Sequence, residues 1–204
     1  MTNSFEKNLL YYQTHAEEFF EGTISLDMSE LYEPFLSRLK NGAKILDAGC
    51  GSGRDTKYFL DQGFNVCSFD ASPKLCQMAS ELTGYRVICS TFLDYENTEA
   101  SFDGIWASAS LLHVEPEELT KTLQHLARLL KPSGVFYLSF KATPQTSAEQ
   151  LRYFNVVDLQ ILKHHLAEVE GLELEASWEN MDVRPERNDI WLNAIVRKAL
   201  AGVE

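Results

Sequence analysis

Ile45-Leu46-Asp47-Ala48-Gly49-Cys50-Gly51-Ser52-Gly53-Arg54 rises as an apolar run into an acid, then into three glycines at alternate positions. A helical pattern, Asp55 to Leu60, follows at once. This order predicts a buried strand, a tight turn, and a helix that starts over the turn. Glycines in such a turn bring the backbone against a ligand with no β-carbon in the way. The helix start adds free N–H groups and a partial positive charge. Strand, glycine turn and helix start together predict a nucleotide-type site.

The spacing narrows the ligand. A dinucleotide fingerprint would place its last glycine where Arg54 stands. Here the glycines instead read G-x-G-x-G, with Asp47 two residues ahead of the first. The next predicted strand, Phe64 to Phe69, ends in Asp70, well placed to take two ribose hydroxyls. Asp-x-Gly-x-Gly-x-Gly with an acid closing the following strand resembles the class I S-adenosylmethionine-dependent methyltransferases. An early acid suits that cofactor, whose methionine part carries an ammonium. It suits an anionic pyrophosphate less well. The competing reading is a structural glycine turn in some other α/β protein.

Outward from this stretch, the alternation of elements is regular. Lys44 to Asp47 reads as a first strand and Arg54 to Gln62 as a first helix. Ser72-Pro73 opens a second helix, with proline at its first position. Arg86 to Cys89 and Phe102 to Ala107 read as strands, and Pro116 to Leu130 as a strongly periodic helix. Lys131-Pro132-Ser133-Gly134 then turns into a strand over Val135 to Phe140. Val156 to Val169 reads as a helix, followed by two strands, Leu172 to Trp178 and Asp189 to Arg197, with no helix between them. Ahead of the glycine loop, Phe5 to Glu21 reads as one helix with an aromatic stripe, and Ser29 to about Leu39 as another. The predicted fold class is α/β: a Rossmann-like, seven-stranded, mostly parallel sheet. Helices cover both faces, and an antiparallel strand pair closes the C-terminal edge. The expected organisation is a single domain, with a helical lid over residues 1–40 and the Rossmann-like core over 41–204.

Composition bounds the function. The chain has 204 residues and a formal net charge of -12. That length suits one α/β domain. The acidic balance argues against broad phosphate-driven binding of nucleic acid. No run is apolar and long enough to span a bilayer, and Met1 to Asn8 has no secretory apolar core. Cys50, Cys67, Cys76 and Cys89 lack paired spacing and read as free thiols, not metal ligands. The expected location is the reducing cytoplasm. Oligomeric state stays open.

The resemblance covers nearly the whole chain. The Lys131–Gly134 turn is similar to the K-P-G-G turn of these enzymes, and Phe102 to Trp106 with Leu111 to Val114 to their fourth strand and its exit. Small bacterial enzymes of the tellurite-resistance and ubiquinone-biosynthesis types, which lack a separate target-recognition domain, are similar in layout. The resemblance implies S-adenosyl-L-methionine as cofactor. Its methionine and ribose would meet Asp47, Gly49, Cys50, Gly51 and Gly53. Asp70 would take the ribose hydroxyls, and Ala71, Phe92 and Leu93 the adenine. Ala107 and Ser108 at the end of the fourth strand complete the set. Asp94 reads either as a site acid or as a solvated turn residue.

Arg54 is a cation at a helix N-terminus, which the dipole disfavours. It needs an anion, expected to be the methionine carboxylate, Asp70 or Asp94. The resemblance makes the first helix a lid with Tyr12 pointing inward, while Phe19 and Phe20 read as core. His113, just past the fourth strand, reads equally as a structural histidine or as the best placed base should the acceptor be a neutral hydroxyl or amine. Arg152, Arg184 and Arg187 stand out in an acidic chain. They read as contacts to an anionic group on the acceptor, or as surface ion pairs. Ala107-Ser108-Ala109-Ser110 stands where an adenine amino-methylating enzyme would carry N/D-P-P-Y, and no Pro-Cys nucleophile is present. A small-molecule acceptor is therefore the leading expectation. The alternatives are a methyltransferase acting on RNA or protein, and a non-catalytic S-adenosylmethionine-binding protein. A dinucleotide oxidoreductase is disfavoured by Arg54.

Overall fold

The computed structural model describes residues 3–143 and 151–200. Residues 1–2 of the expected lid and 144–150 and 201–204 of the expected core lie outside the described residues. Seven strands form one sheet in the order β3-β2-β1-β4-β5-β7-β6. These are β1 (Lys44–Ala48), β2 (Asn65–Asp70), β3 (Ile88–Cys89), β4 (Phe102–Ala107), β5 (Leu130–Lys141), β6 (Leu172–Met181) and β7 (Ile190–Lys198). The pairs β1–β2, β1–β4, β2–β3 and β4–β5 are parallel, whereas β7 runs antiparallel between β5 and β6. The helices are α1 (Ser4–Thr14), α2 (Ala16–Ile24), α3 (Ser29–Leu36), α4 (Arg54–Asp61), α5 (Pro73–Thr83), α6 (Pro116–Leu129) and α7 (Leu159–Ala167).

Strand alternation sends neighbouring residues to opposite faces, and each face has its own core. Leu46, Ile105, Phe136, Leu138 and Ala194 pack with Leu119 and Leu123 of α6 and Leu162 of α7. Ile45, Trp106, Tyr137 and Ile195 pack with Tyr32 and Phe35 of α3 and Phe59 of α4. Trp106 and Tyr137 stack with centroids 3.8 Å apart. Gly104 opens room for this layer, because a β-carbon there would sit 2.7 Å from the Phe35 ring.

Local chemistry sets the element ends. Ser72 caps α5 ahead of Pro73, and the left-handed Gly84 closes it. Asp158 caps α7 by accepting from the N–H groups of Gln160 and Ile161, so that helix starts three residues after the expected Val156. The expected single helix over Phe5 to Glu21 is two. The chain breaks at His15, whose ring and backbone both bond back to the Tyr11 carbonyl. The expected turn at Lys131–Gly134 is an irregularity inside β5. Its register against β4 shifts between Phe102 and Gly104, and Ser133 adopts a φ of 62°.

β1 sits where the order reverses, with β2 on one side and β4 on the other. In open α/β sheets a crevice forms at the carboxyl ends of such strands. The Ser110 hydroxyl bridges it, donating to the Ala48 carbonyl at 2.7 Å.

Candidate functional site

A cavity of about 490 Å³ lies at this switch point. Its floor is the glycine loop. Gly49 and Cys50 both donate their N–H groups to the Phe69 carbonyl, which folds the loop back over β2. Gly49 and Gly51 are left-handed and line the cavity. A side chain at Gly49 would strike Ser110 at 2.6 Å, and one at Gly51 would meet the Phe19 ring at 3.1 Å. The third glycine differs from expectation. Gly53 does not line the cavity; a β-carbon there would sit 2.8 Å from Ala79 of α5. Two glycines serve close approach to the cavity and the third serves helix packing.

Asp70 is held from behind. Gly51 N–H donates to its Oδ2 and Ser72 N–H to its Oδ1, both at 2.9 Å. Each oxygen keeps a further acceptor site, and the side chain lines the cavity. Burial pushes its pKa up, and the backbone donors of Ser72 and Gly51 work against that push. Ala71, Phe92, Leu93 and Asp94 line the same end. Phe92 packs edge-on to Phe69, and Asp94 accepts from the Thr91 hydroxyl at 2.7 Å.

Asp47 and Ala107 depart from the expected lining. Asp47 is buried beneath the loop and accepts from the Thr56 hydroxyl at 2.6 Å. Burial, then the neighbouring Asp55 charge, raise its pKa. Ala107 is fully buried, and Ser108 is the residue that reaches the cavity. Cys50 lines the wall, but burial and the charges of Asp47 and Asp70 hold its thiol protonated, well above the ordinary range.

Arg54 finds a different anion from any of those expected. Its guanidinium is bidentate to the adjacent Asp55, at 2.6 and 3.0 Å. Asp55 also accepts from the Tyr32 hydroxyl at 2.6 Å and the Trp106 indole at 2.8 Å. Burial alone would raise its pKa, but Arg54 and the donors of Tyr32 and Trp106 outweigh it and hold the carboxyl below its usual range. Asp55 is the site residue that sequence reasoning missed. The signal was present: an acid in the first helical turn complements the dipole that Arg54 opposes.

The cover comes from the N-terminal helices. Thr23 donates to the Ser52 hydroxyl at 3.0 Å. Phe19, expected in the core, is half-buried; it lies over Gly51 and packs edge-on to Tyr12. Tyr12 lines the cavity, as does His113. Met28 and Leu31 also line the cavity, while Tyr32 and Phe35 of α3 pack into the core.

The opposite wall is built by β5, β7 and the link after β6. Lys141 is 2% exposed and pairs with Asp189 at 2.9 Å. A lysine inside an apolar strand pattern gave no sequence signal, and its partner lies 48 residues on. Arg184 is bidentate to Asp182 at 2.8 and 2.6 Å, which holds that carboxyl below its usual range despite burial. Trp191 donates to the same carboxylate at 3.1 Å. Arg184 thus satisfies the ion-pair reading while still lining the cavity. Arg187 also lines it, and among the described residues it has no ion-pair partner. Arg152 stacks on Tyr11 and Phe154, with its carbon 4.6 and 4.8 Å from the ring centroids.

Comparison with known proteins gives a family match for part of the chain. Residues 45–134 match the model of a methyltransferase domain. A ubiquinone biosynthesis O-methyltransferase of Xanthomonas oryzae pv. oryzae is 35% identical over 105 residues, covering 48% of this chain and 43% of that protein. The chain thus spans less than half the length of that relative. A 1,6-didemethyltoxoflavin-N1-methyltransferase of Burkholderia thailandensis, solved with its substrate and S-adenosylhomocysteine, superposes with a TM-score of 0.71 at 22% identity, covering 98% of this chain and 92% of that one. The [4+2]-cyclase SpnF superposes with a TM-score of 0.74 at 16% identity, covering 98% and 97%. At such identities these likenesses establish the fold.

Proposed function

On the premise that this chain is a class I methyltransferase in its fold and its matched segment, we propose that it transfers a methyl group from S-adenosyl-L-methionine to a small-molecule acceptor. One observation carries the cofactor reading above the others. Both oxygens of Asp70 are anchored by backbone donors, yet each keeps an acceptor site toward the cavity. That is the arrangement two vicinal ribose hydroxyls require. Gly49 and Gly51 would take the methionine end. Asp47, one layer beneath, would ionise more readily once the ammonium is bound above it. Ala71, Phe92 and Leu93 would hold the adenine, with Cys50, Arg54, Tyr12 and Ser108 around the remainder.

The bound cofactor supplies an activated methyl on a sulfonium, so the protein's work is alignment and exclusion of water. The α1–α2 cover, with Phe19 over Gly51 and Tyr12 beside it, would exclude water. His113, Arg152, Arg184 and Arg187 would form the acceptor end. The 490 Å³ volume suits a cofactor with a small acceptor. No helix among the described residues is long and apolar enough to cross a membrane.

Fold alone does not decide the reaction, since a cyclase shares it. The reading is tested by incubating the protein with methyl-labelled S-adenosylmethionine and a metabolite extract. Label should move to a small molecule, with S-adenosylhomocysteine released only when extract is present. Transfer that disappears on treating the extract with nuclease or protease would move the acceptor to RNA or protein. Binding without any transfer would make the chain a cofactor-binding protein.

A further inference from the structure

Three separate stretches of chain bring a phenol, an imidazole and a guanidinium into line beside the glycine loop. Tyr12 Oη lies 2.8 Å from His113 Nε2, and Arg152 Nη1 donates to Tyr12 Oη at 3.1 Å. His113 Nδ1 lies 3.1 Å from the Tyr153 carbonyl. The direction of these bonds follows from what each atom can do. Arg152 has donors only, so Tyr12 oxygen accepts from it. Two groups meet His113 Nδ1: the Tyr153 carbonyl, which can only accept, and the Asn8 amide nitrogen at 3.2 Å, which can only donate; with that amide directed to the carbonyl at 3.1 Å, His113 carries its proton on Nδ1. Nε2 is then a lone pair, and the Tyr12 O–H donates to it. The opposite tautomer would turn the Nδ1 lone pair to the Asn8 amide and leave the Tyr153 carbonyl facing that same lone pair. Asn8 fixes the carbonyl in place, donating to it at 3.1 Å and accepting from Tyr153 N–H at 2.7 Å.

We propose that Tyr12 and His113 form a proton relay for an acceptor that arrives neutral, carrying a hydroxyl or ring N–H. This rests on the methyl-transfer reading. Tyr12 lines the cavity; its oxygen takes the acceptor's proton, while its own O–H proton passes to His113 Nε2. The acceptor's lone pair forms the bond to the methyl carbon as the carbon–sulfur bond breaks and leaves a thioether. One positive charge disappears from sulfur and one appears on the imidazole, so the net charge of the closed site is unchanged. Tyr12 ends as it began, a neutral phenol. His113 acts through it.

The surroundings fit this role. Burial, opposed by the Tyr153 carbonyl and reinforced by Arg152, brings His113 down to about 4, so the imidazole enters the reaction neutral. Arg152 faces the pair from residues 151–154, and Glu115 and Glu118 line the cavity from the start of α6. Asp70 acts on Tyr12 from the end of β2, and Tyr11 from α1 itself. Phe154 flanks the imidazole, with its ring centroid 5.3 Å away. Phe19 bridges Tyr12 to Gly51, which puts the pair one ring away from the loop.

The test needs no acceptor. The full chain, with nitrogen-labelled histidine, is titrated by NMR with saturating S-adenosylmethionine and again with S-adenosylhomocysteine. The two differ by the sulfonium charge. His113 is identified by the signal lost in His113→Gln. The relay requires an Nδ1–H tautomer with an accepting Nε2 in both complexes. It also requires a protonation midpoint higher with S-adenosylhomocysteine by about one unit or more, the effect of one charge removed nearby. Tyr12→Phe, which removes the donor to Nε2, should convert His113 to a mixture of tautomers. Equal midpoints in the two complexes, or an Nε2–H tautomer, would overturn the relay and leave Tyr12 and His113 as a clamp on α1, with the methyl-transfer reading intact. Failure of either cofactor to bind would overturn that reading and the relay with it.

Discussion

Asp47, Asp55 and Asp70 are three carboxylates gathered around the glycine loop from β1, α4 and β2, and their partners divide the work among them. Asp70 keeps acceptor sites toward the cavity. Asp70→Ala should therefore lose charge-assisted hydrogen bonds to a ribose, at roughly 1.5–3 kcal/mol each. Calorimetry with S-adenosylhomocysteine should show affinity weakened about tenfold or more. A change within about twofold would put the ribose elsewhere. Asp55 faces Arg54, Tyr32 and Trp106, whereas Asp47 has one donor, Thr56, and sits beside the charge of Asp55. Its pKa is raised on folding, so its stabilising share is fully present below the unfolded carboxyl pKa. That share is lost as pH rises toward the folded one. Asp47→Asn should accordingly stabilise the protein at neutral pH and lose that advantage near pH 4, where both carboxyl states are protonated. Urea unfolding at the two pH values reads this directly, and an Asn variant less stable at pH 7 would show that Asp47 stays charged. The place of Asp70 on the cavity wall was legible because an acid closing a strand is a local pattern. That of Asp55 was half-legible, from the dipole. Lys141 and Asp189 were not, since only the fold brings them together.

At the level of elements, α1 and α2 behave differently from α3. None of their residues belongs to the three buried core clusters, whereas α3 contributes Leu31, Tyr32 and Phe35. Their anchors are polar: Thr23 to Ser52, Asn8 to Tyr153 and Tyr12 to His113. Removing residues 1–24 should leave the sheet folded, with its near-ultraviolet signal from Trp106 and Tyr137 intact. Affinity for S-adenosylhomocysteine should fall by about tenfold, a loss of roughly 1.4 kcal/mol. Amides of α1 in the whole chain should exchange faster without ligand than with it. Loss of the aromatic signal on truncation would return these helices to the core. The sequence predicted β4 to the residue and the cap of α5, because periodicity and Ser-Pro are local signals. It merged α1 with α2, because the break at His15, where φ is -110° and the ring turns back to the Tyr11 carbonyl, carries no glycine or proline signal. It also read a turn at Lys131–Gly134, and these residues bulge between the paired Leu130 and Val135 inside β5, with Ser133 left-handed.

Across the whole molecule, the reversal of strand order around β1 gathers residues from both halves of the sheet into one cavity. Its first half offers the glycine loop and Asp70. Its second half offers Lys141, the Asp182–Arg184 pair and Arg187. The alternating pattern made the first half readable, because there each strand, turn and helix follows in order. The second half is assembled from β5, β7 and the link after β6; the antiparallel return was legible, but its side-chain pairings depend on a register that local sequence does not specify. The central claim is that this cavity binds S-adenosylmethionine and its product. Thermal unfolding of the full chain with S-adenosylhomocysteine tests it most directly, with a nicotinamide dinucleotide as the control. At about one hundred times its dissociation constant, S-adenosylhomocysteine should add roughly 2.7 kcal/mol and raise the midpoint by roughly 5 to 10 °C, with no shift from the dinucleotide. A shift with the dinucleotide and none with S-adenosylhomocysteine would contradict the account.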